Sequence, residues 1–461
     1  MSTTVLEQLR REAEEPTHAD WSSPRTATWF VPGRIEVLGK HTDYAGGRSL
    51  LAAVDLGHTV RAVERTDREL HVTSALAGDP VVVDLDAPAR HPSPPGHWGG
   101  YVRTVVERLE TNFPGRLRGA EVHVSSTLPL AAGMSSSSAL VVGLALALLD
   151  LAGVADEPPF TTEITTDEQL GEYLGCVENG QSFGGLAGDR GVGTFGGSED
   201  HTAILCGVDG ALVQYSFCPV RREREVALPA GLSLVVAVSG VDAEKTGAAL
   251  ADYNRISLAA REIVTRWQQA TGRTETTLAD ALATGPAALS RLRELVGEDS
   301  PLTGRLEQFV AESERIVPAA ALALEDGDLT ELGSLVDESQ AGAETGLGNQ
   351  VPETVRLQRL ARELGAHAAS AFGAGFGGSV WALVGRADAA DGADGADGAP
   401  AEGAAEVSAE EFAEEFAEQF AEDFARRWLA AYREEFPEAG ARATTLVTRP
   451  GPGAHRLDPE E

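Results

Sequence analysis

The longest apolar stretch of the chain, ALVVGLALALLD (139 to 150), follows four consecutive serines, Ser135 to Ser138, and meets no breaker before Gly143. That pattern predicts a buried helix fed by a loop of small residues. Upstream, TATWFVPGRIEVLGKHTDYAGG (26 to 47) begins as a strand and ends in a turn, and SLLAAVDLGHTVRAVERT alternates as one or two further strands. VVVDL (81 to 85) and AEVHVSS (120 to 126) read as short strands, the second leading into the serine-rich loop. Trp98 to Leu109 has helical spacing at Tyr101, Val102, Val105, Val106 and Leu109, and DEQLGEYLGCVENG (167 to 180) puts Leu170, Tyr173, Leu174 and Val177 on one helix face. The glycine-dense passage from Gly180 to Gly197 predicts no regular element, and GGSEDHTAILCG after it reads as a loop running into a strand.

LSLVVAVSG (232 to 240) predicts the strand that opens a second half, where helices dominate from Ala248 to Leu364. AASAFGAGFGGSVWALVG (368 to 385) reads as a glycine loop followed by a strand, and the acidic low-complexity run at about 387 to 410 as a solvated insertion. Phe412, Phe416, Phe420, Phe424 and Trp428 recur every four residues, an amphipathic helix whose aromatic stripe points to core or interface packing. The end, ARATTLVTRPGPGAH, returns to a strand and a Pro/Gly tail.

A length of 461 residues exceeds one simple core. The pattern divides it into an acidic helix and linker (1–25), a first domain (26–228), a second domain carrying the insertion (229–450) and a tail (451–461). The formal net charge of −34 argues against nucleic acid and anionic membranes as partners, while a locally positive site still admits a small phosphorylated ligand. No apolar run is long enough to span a bilayer, and no leader pattern opens the chain, so a soluble, cytoplasmic protein is expected. Cys176, Cys206 and Cys218 form no framework, which fits a reducing compartment. Oligomeric state leaves no mark in the sequence.

Three loops concentrate the polar chemistry. The serine-rich loop presents backbone N–H groups at a helix start, which suits a triphosphate, and its hydroxyls suit magnesium; it equally reads as a polar turn before a core helix. PGRIEVLGKHTDYAGG packs Arg34, Lys40, His41, Asp43 and Tyr44 into a short turn-bearing stretch suited to the hydroxyls of a sugar ring. GAGFGGS lets backbone approach a ligand or another loop closely through Gly373, Gly375, Gly377 and Gly378. Two matches to the dinucleotide fingerprint G-x-G-x-x-G, at Gly191 and Gly373, lack the strand-before, helix-after context. A near match to the phosphate loop at Gly33 to Lys40 fails on spacing.

Together these blocks resemble the GHMP family of small-molecule kinases, and among them the galactokinases. PGRIEVLGKHTDYAGG is similar to the signature P-G-R-x-N-x-I-G-E-H-T-D-Y-x-G-G, LPLAAGMSSSSAL to the nucleotide loop P-x-G-x-G-L-S-S-S-A-A, and FGAGFGGSVWALV to the third motif G-G-G-F-G-G-x-x-x-A-L. GGSEDHTAIL is similar to the passage C-G-x-x-D-Q that holds the catalytic aspartate. The resemblance implies an α+β fold of two lobes with the active site in the cleft between them. It implies ATP and Mg2+ as cofactors, and phosphorylation of the anomeric hydroxyl of a galacto-configured sugar.

Carried over by position, Asp200 becomes the catalytic aspartate and Arg34 its cationic partner, with a guanidinium keeping the carboxylate ionised. Ala132, Gly133, Met134 and Ser135 to Ser138 line the nucleotide, Ser137 binding magnesium with Glu178 as a second ligand. Lys40, His41, Asp43, Gly197 and Tyr253 contact the sugar. Two departures stand out. Glu36 replaces the signature asparagine, with no consequence evident from sequence, and Lys40 replaces a glutamate that the resemblance places at the hydroxymethyl end of the sugar. A lysine there favours a C6 carboxylate, as in galacturonate, or else points to solvent and leaves galactose as substrate. A kinase for another small alcohol such as mevalonate or homoserine, and a silent sugar and nucleotide sensor, are the competing readings.

Overall fold

The computed structural model describes residues 4–10, 24–75, 78–90, 93, 97–129, 132–242, 250–298, 300–385 and 409–457, and two sheets organise them. The first is built from β1 (Thr26–Leu38), β2 (Arg48–Glu64), β3 (Glu69–Ser74), β4 (Val81–Asp84), β5 (Ala120–Ser126), β6 (Ala211–Ser216) and β7 (Arg221–Ala227). The second holds β8 (Leu232–Val238), β9 (Ala368–Phe372), β10 (Ser379–Gly385) and β11 (Thr444–Thr448) in the order β11-β8-β10-β9, all antiparallel. The chain then returns to the first sheet with β12 (His455–Arg456), giving the order β12-β1-β2-β5-β3-β4, with β6 and β7 branching from β2.

The apolar run forms the helix Ser136–Ala152, buried along most of its length against β1 and β2. Gly143 does not break it. A Cβ there would stand 2.6 Å from Val60 Cγ2, so glycine is what lets the helix lie this close to β2. Pro32 and Gly33 coincide with a register shift in β1, a bulge that re-aims the strand immediately before Arg34.

Several elements differ from the sequence reading. GGSEDHTAIL is not a loop leading to a strand: Glu199–Leu205 is a helix, whose first free N–H, from Glu199, is taken by Asp43 Oδ2 at 3.2 Å. AASAF is a strand of its own, β9, paired with β10 across the glycine turn. All five of its residues are buried, so it shows no alternation. The Pro/Gly tail is not separate from the domains, because Trp29 and Phe30 of β1 pair with Arg456 and His455, and Arg456 Nε lies 3.1 Å from the buried Asp150.

The terminal aromatic stripe holds only in part. In the helix Ala409–Glu435, Phe424, Trp428 and Tyr432 are buried, whereas Phe420 is 38% exposed. A strict four-residue repeat drifts round a helix of 3.6 residues per turn, so its members cannot all share one face. At the other end, Val5–Arg10 is helical and docked, with the N–H groups of Val5 and Leu6 donating to Asp167 at 2.9 and 3.0 Å. The rest of the 1–25 segment beyond residue 10, up to residue 23, and the insertion through residue 408 lie outside the described residues. Among the described residues no helix is long and apolar enough to cross a membrane.

Candidate active site

Between the sheets lies a cleft whose walls come from β1 and the turn after it, the helices Asp167–Asn179, Glu199–Leu205 and Leu250–Thr271, and the β9–β10 turn. Period-two geometry along β1 places Arg34 and Glu36 on one strand face, and both line the cleft. Arg34 is 1% exposed and grips Asp200 through Nε at 2.8 Å and Nη2 at 2.6 Å, both on Oδ1. Its Nη1 donates to Gly133 O at 2.6 Å, joining the aspartate to the serine-rich loop. Ser138 Oγ donates to the other carboxylate oxygen of Asp200 at 3.2 Å. One planar guanidinium thus orients a carboxylate and a loop carbonyl together.

The loop itself is shaped by left-handed backbone at Gly133 (φ 71°) and at Ser135 (φ 56°), the residue that caps the Ser136–Ala152 helix. Ser135 Oγ is buried with no hydrogen-bond partner among the described residues, while Ser136 and Ser137 are half-buried on the first turn. Such unsatisfied donors at a helix start are what a phosphate takes up. The third glycine block closes over this loop. Ser379 Oγ donates to Ala132 O at 2.5 Å, and a Cβ on Gly373 would come within 3.0 Å of Gly133 O. Gly373, Gly375, Phe376, Gly377 and Gly378 all have positive φ, a turn that side chains other than glycine rarely sustain. Met134 is buried, and its carbonyl accepts from Arg34 N at 3.2 Å.

The sugar-signature turn forms the opposite wall. His41 bonds Tyr44 Oη through Nδ1 at 3.1 Å and Ala374 O through Nε2 at 3.2 Å. Tyr253 packs against the His41 ring, its centroid 5.6 Å away. Gly197 is required sterically, since a Cβ there would meet Asp43 Oδ2 at 2.3 Å. Arg305 donates to His41 O at 2.6 Å, and Gln308 donates to Lys40 O at 3.1 Å, so the second half of the chain holds this turn in place.

Lys40 corrects the sequence reading on both counts. It is 1% exposed, so it does not point to solvent, and it is not among the residues that line the cleft. Its Nζ donates to Ser339 Oγ at 2.9 Å, and Ser339 donates on to Glu312 Oε1 at 2.9 Å. Ser137 is likewise not on the lining but sits one residue before Ser138, which bonds Asp200. Glu178 does line the cleft. It is 3% exposed, with Oε2 2.9 Å from His201 Nε2 but out of hydrogen-bond alignment. Among the described residues no three His, Cys, Asp or Glu side chains gather as a metal cage. Magnesium does not require one, since it is commonly held by one or two carboxylates, water and substrate phosphates.

Several lining residues had escaped sequence reasoning, notably Glu199, His201 and Asn179, while Glu36 had been seen without a role. Asn179 ties down the glycine passage: its amide donates to Gly175 O and Gly197 O at 2.9 and 3.0 Å, and its Oδ1 accepts from Thr194 Oγ1 and Gly196 N at 2.7 and 3.0 Å. Burial pushes Glu36 up to about 7, against the pull of Lys40 and Arg34. Glu199 is driven well above the usual carboxylate range by burial and by Glu36 beside it. A Ser49 Oγ to Glu199 Oε2 bond of 2.7 Å anchors that second acid. The flanking positions 198 and 201 gave no signal; the adjacency of Glu199 to Asp200 was the one available clue.

The cleft pairs an arginine-held aspartate with a loop shaped like an anion site, and known proteins place the chain in its class. The model of the GHMP kinases N terminal domain matches residues 100–180, that of the GHMP kinases C terminal matches 320–398, and the galactokinase galactose-binding signature matches 19–63. The galactokinase of Chloroflexus aggregans is 30% identical over 370 residues, 79% of this chain and 85% of the relative. That of Roseiflexus sp. is 30% identical over 359 residues, 77% and 83% of the two chains. The Lactococcus lactis galactokinase complexed with galactose superposes with a TM-score of 0.70 at 22% identity, covering 98% of this chain and all of that one. Methanococcus jannaschii mevalonate kinase gives 0.50 at 13% identity, with 93% and 99% covered. The chain belongs to the GHMP kinase family, with its two-lobed α+β fold. Within that family it is a sugar kinase of the galactokinase type.

Proposed function

We propose that this chain transfers the γ-phosphoryl group of ATP to the anomeric hydroxyl of a galacto-configured monosaccharide, releasing the sugar 1-phosphate and ADP. The observation that carries the reading is the Arg34–Asp200 pair, 2.6 Å apart, in one cleft with His41, Asp43 and Tyr253 and bonded to the serine-rich loop. Asp200 takes up or orients the proton of the attacking hydroxyl, and Arg34 offsets charge that builds on the transferred group. The backbone of Ala132 to Ser138 cradles the phosphates. Ser137 and Glu178 would hold a Mg2+ ion, whose charge would offset that of the phosphates, and the buried Glu178 carboxylate beside His201 suits that role.

Galactose is favoured over galacturonate as the substrate, because the ammonium of Lys40 is spent on Ser339 and five carboxylates, Glu36, Asp43, Glu178, Glu199 and Asp200, line the cleft. ADP release over galactose, galacturonate, glucuronate, arabinose and N-acetylgalactosamine tests the reading, with phosphorus NMR of the product. An anomeric phosphate on galactose is the expected result. Turnover of none of the five sugars, with ATP still bound, would return the chain to the sensor reading.

A further inference from the structure

The two departures from the sugar-kinase signature meet in space. Where the signature has an amide at position 36 and an acid at position 40, this chain has Glu36 and Lys40, and the charge of Lys40 acts on Glu36. Lys40 has turned away to Ser339, so position 40 offers the cleft no acceptor. Glu36 does. It is 4% exposed and on the cleft wall, and among the described residues no N–H and no hydroxyl donates to its Oε1. What faces it from the protein is the carboxyl of Glu199, which burial drives toward its protonated form and whose hydrogen bond to Glu36 favours the ionised state of Glu36.

We propose that Glu36 is the substrate-recognising carboxylate of this cleft, so that the sugar presents a hydrogen-bond donor to it, a hydroxyl or an ammonium, and never a carboxylate. The proposal rests on the sugar-kinase reading above and names the group that selects within it. An acceptor oxygen held out of water with no N–H or hydroxyl donor on it discriminates strongly, because a substrate that cannot donate leaves it unpaired. An ammonium gains more than a hydroxyl through a charge-assisted bond, and a uronate meets the like charge of Glu36. The lysine at position 40 then serves the structure, balancing the relocated acid from behind.

The test is steady-state ADP release by the full chain with galactose, 2-amino- and 6-amino-galactose and galacturonate. It compares the parent, Glu36→Gln, and the double variant Glu36→Asn/Lys40→Glu, which restores the signature. Glu36→Gln keeps the shape of the side chain but loses the charge. Its KM for galactose and for the better amino sugar should rise at least about tenfold, with kcat within about threefold. Galacturonate should become a measurable substrate in the same variant. The double variant should bring the galactose KM back to within about threefold of the parent. Comparison of the amino sugars with galactose tells ammonium from hydroxyl recognition.

Unchanged KM values in a folded Glu36→Gln protein overturn the proposal. So does a uniform fall in kcat with KM constant, the mark of an effect passed through Arg34. If Glu36→Gln does not fold, the double variant decides by whether the galactose KM returns. If the parent phosphorylates no sugar, the proposed function has failed, and calorimetric binding of galactose to parent and variants reads the role of Glu36 separately.

Discussion

Arg34 Nη2 stands 2.6 Å from Asp200 Oδ1 while Nη1 of the same guanidinium donates to Gly133 O, so a single side chain registers the aspartate against the serine-rich loop. The five donors of a planar fork make this three-point arrangement possible, and an ammonium cannot copy it. Asp200→Asn should lower kcat at least about a hundredfold with ATP affinity unchanged, checked by ADP release and calorimetry. Arg34→Lys should lose activity as well, despite keeping its charge. An Arg34→Lys enzyme of parental kcat would show that charge alone suffices.

Gly197 offers a steric test of the wall formed by the His41–Tyr44 turn. A methyl group there collides with Asp43 Oδ2 at 2.3 Å and with Tyr44 N at 2.9 Å. Gly197→Ala should therefore raise the sugar KM about tenfold or more by displacing Asp43, with the nucleotide KM little changed. Gly100→Ala is the control, since a Cβ at that helical position meets nothing within 4 Å. Its kinetics should match the parent.

Stability should depend on pH through the buried acid pair. Glu36 goes from an ordinary 4.5 to about 7 in the fold, chiefly by burial, and Glu199 is raised for the same reason. The folded chain therefore holds protons that the unfolded chain releases. That contribution is fully present below about pH 4.5 and is lost as pH rises through about 7. Thermal midpoints should fall between about pH 5 and pH 8, and Glu199→Gln should flatten the slope. A slope identical in parent and variant would remove Glu199 from the account.

The terminal helix carries a stability contrast. Trp428 is fully buried, and its Nε1 donates to Leu357 O at 3.0 Å, whereas Phe420 is 38% exposed. Trp428→Ala should cost about 3 to 5 kcal/mol in urea unfolding. Phe420→Ala, eight residues earlier in what reads as the same stripe, should stay within about 0.5 kcal/mol.

How far these features were legible depended on the range of the interaction behind each. The helix Ser136–Ala152 and the strand β1 follow from local pattern, and Arg34, His41, Asp43 and Asp200 were placed by motif; all four line the cleft. The fate of Lys40 was illegible because it is decided by Ser339, 299 residues away. The strand β9 was hidden because burial on both faces erases alternation, and the helix Glu199–Leu205 because seven residues hold too few turns to show a period. Glu36 was in view as a departure, but its meaning needed the neighbouring Glu199 of another element.

The return of β12 to the first sheet has a consequence for how the chain can be divided. His455 and Arg456 cover the outer edge of β1, Leu457 N donates to Thr28 O at 2.8 Å, and Arg456 reaches Asp150 in the interior. A fragment cut after β7 would keep Arg34 and Asp200 yet leave that border bare, a template for pairing between molecules. During synthesis the same border waits until more than two hundred further residues have left the ribosome. The first lobe is thus begun early and sealed last, so its completion reports that the second has already been made.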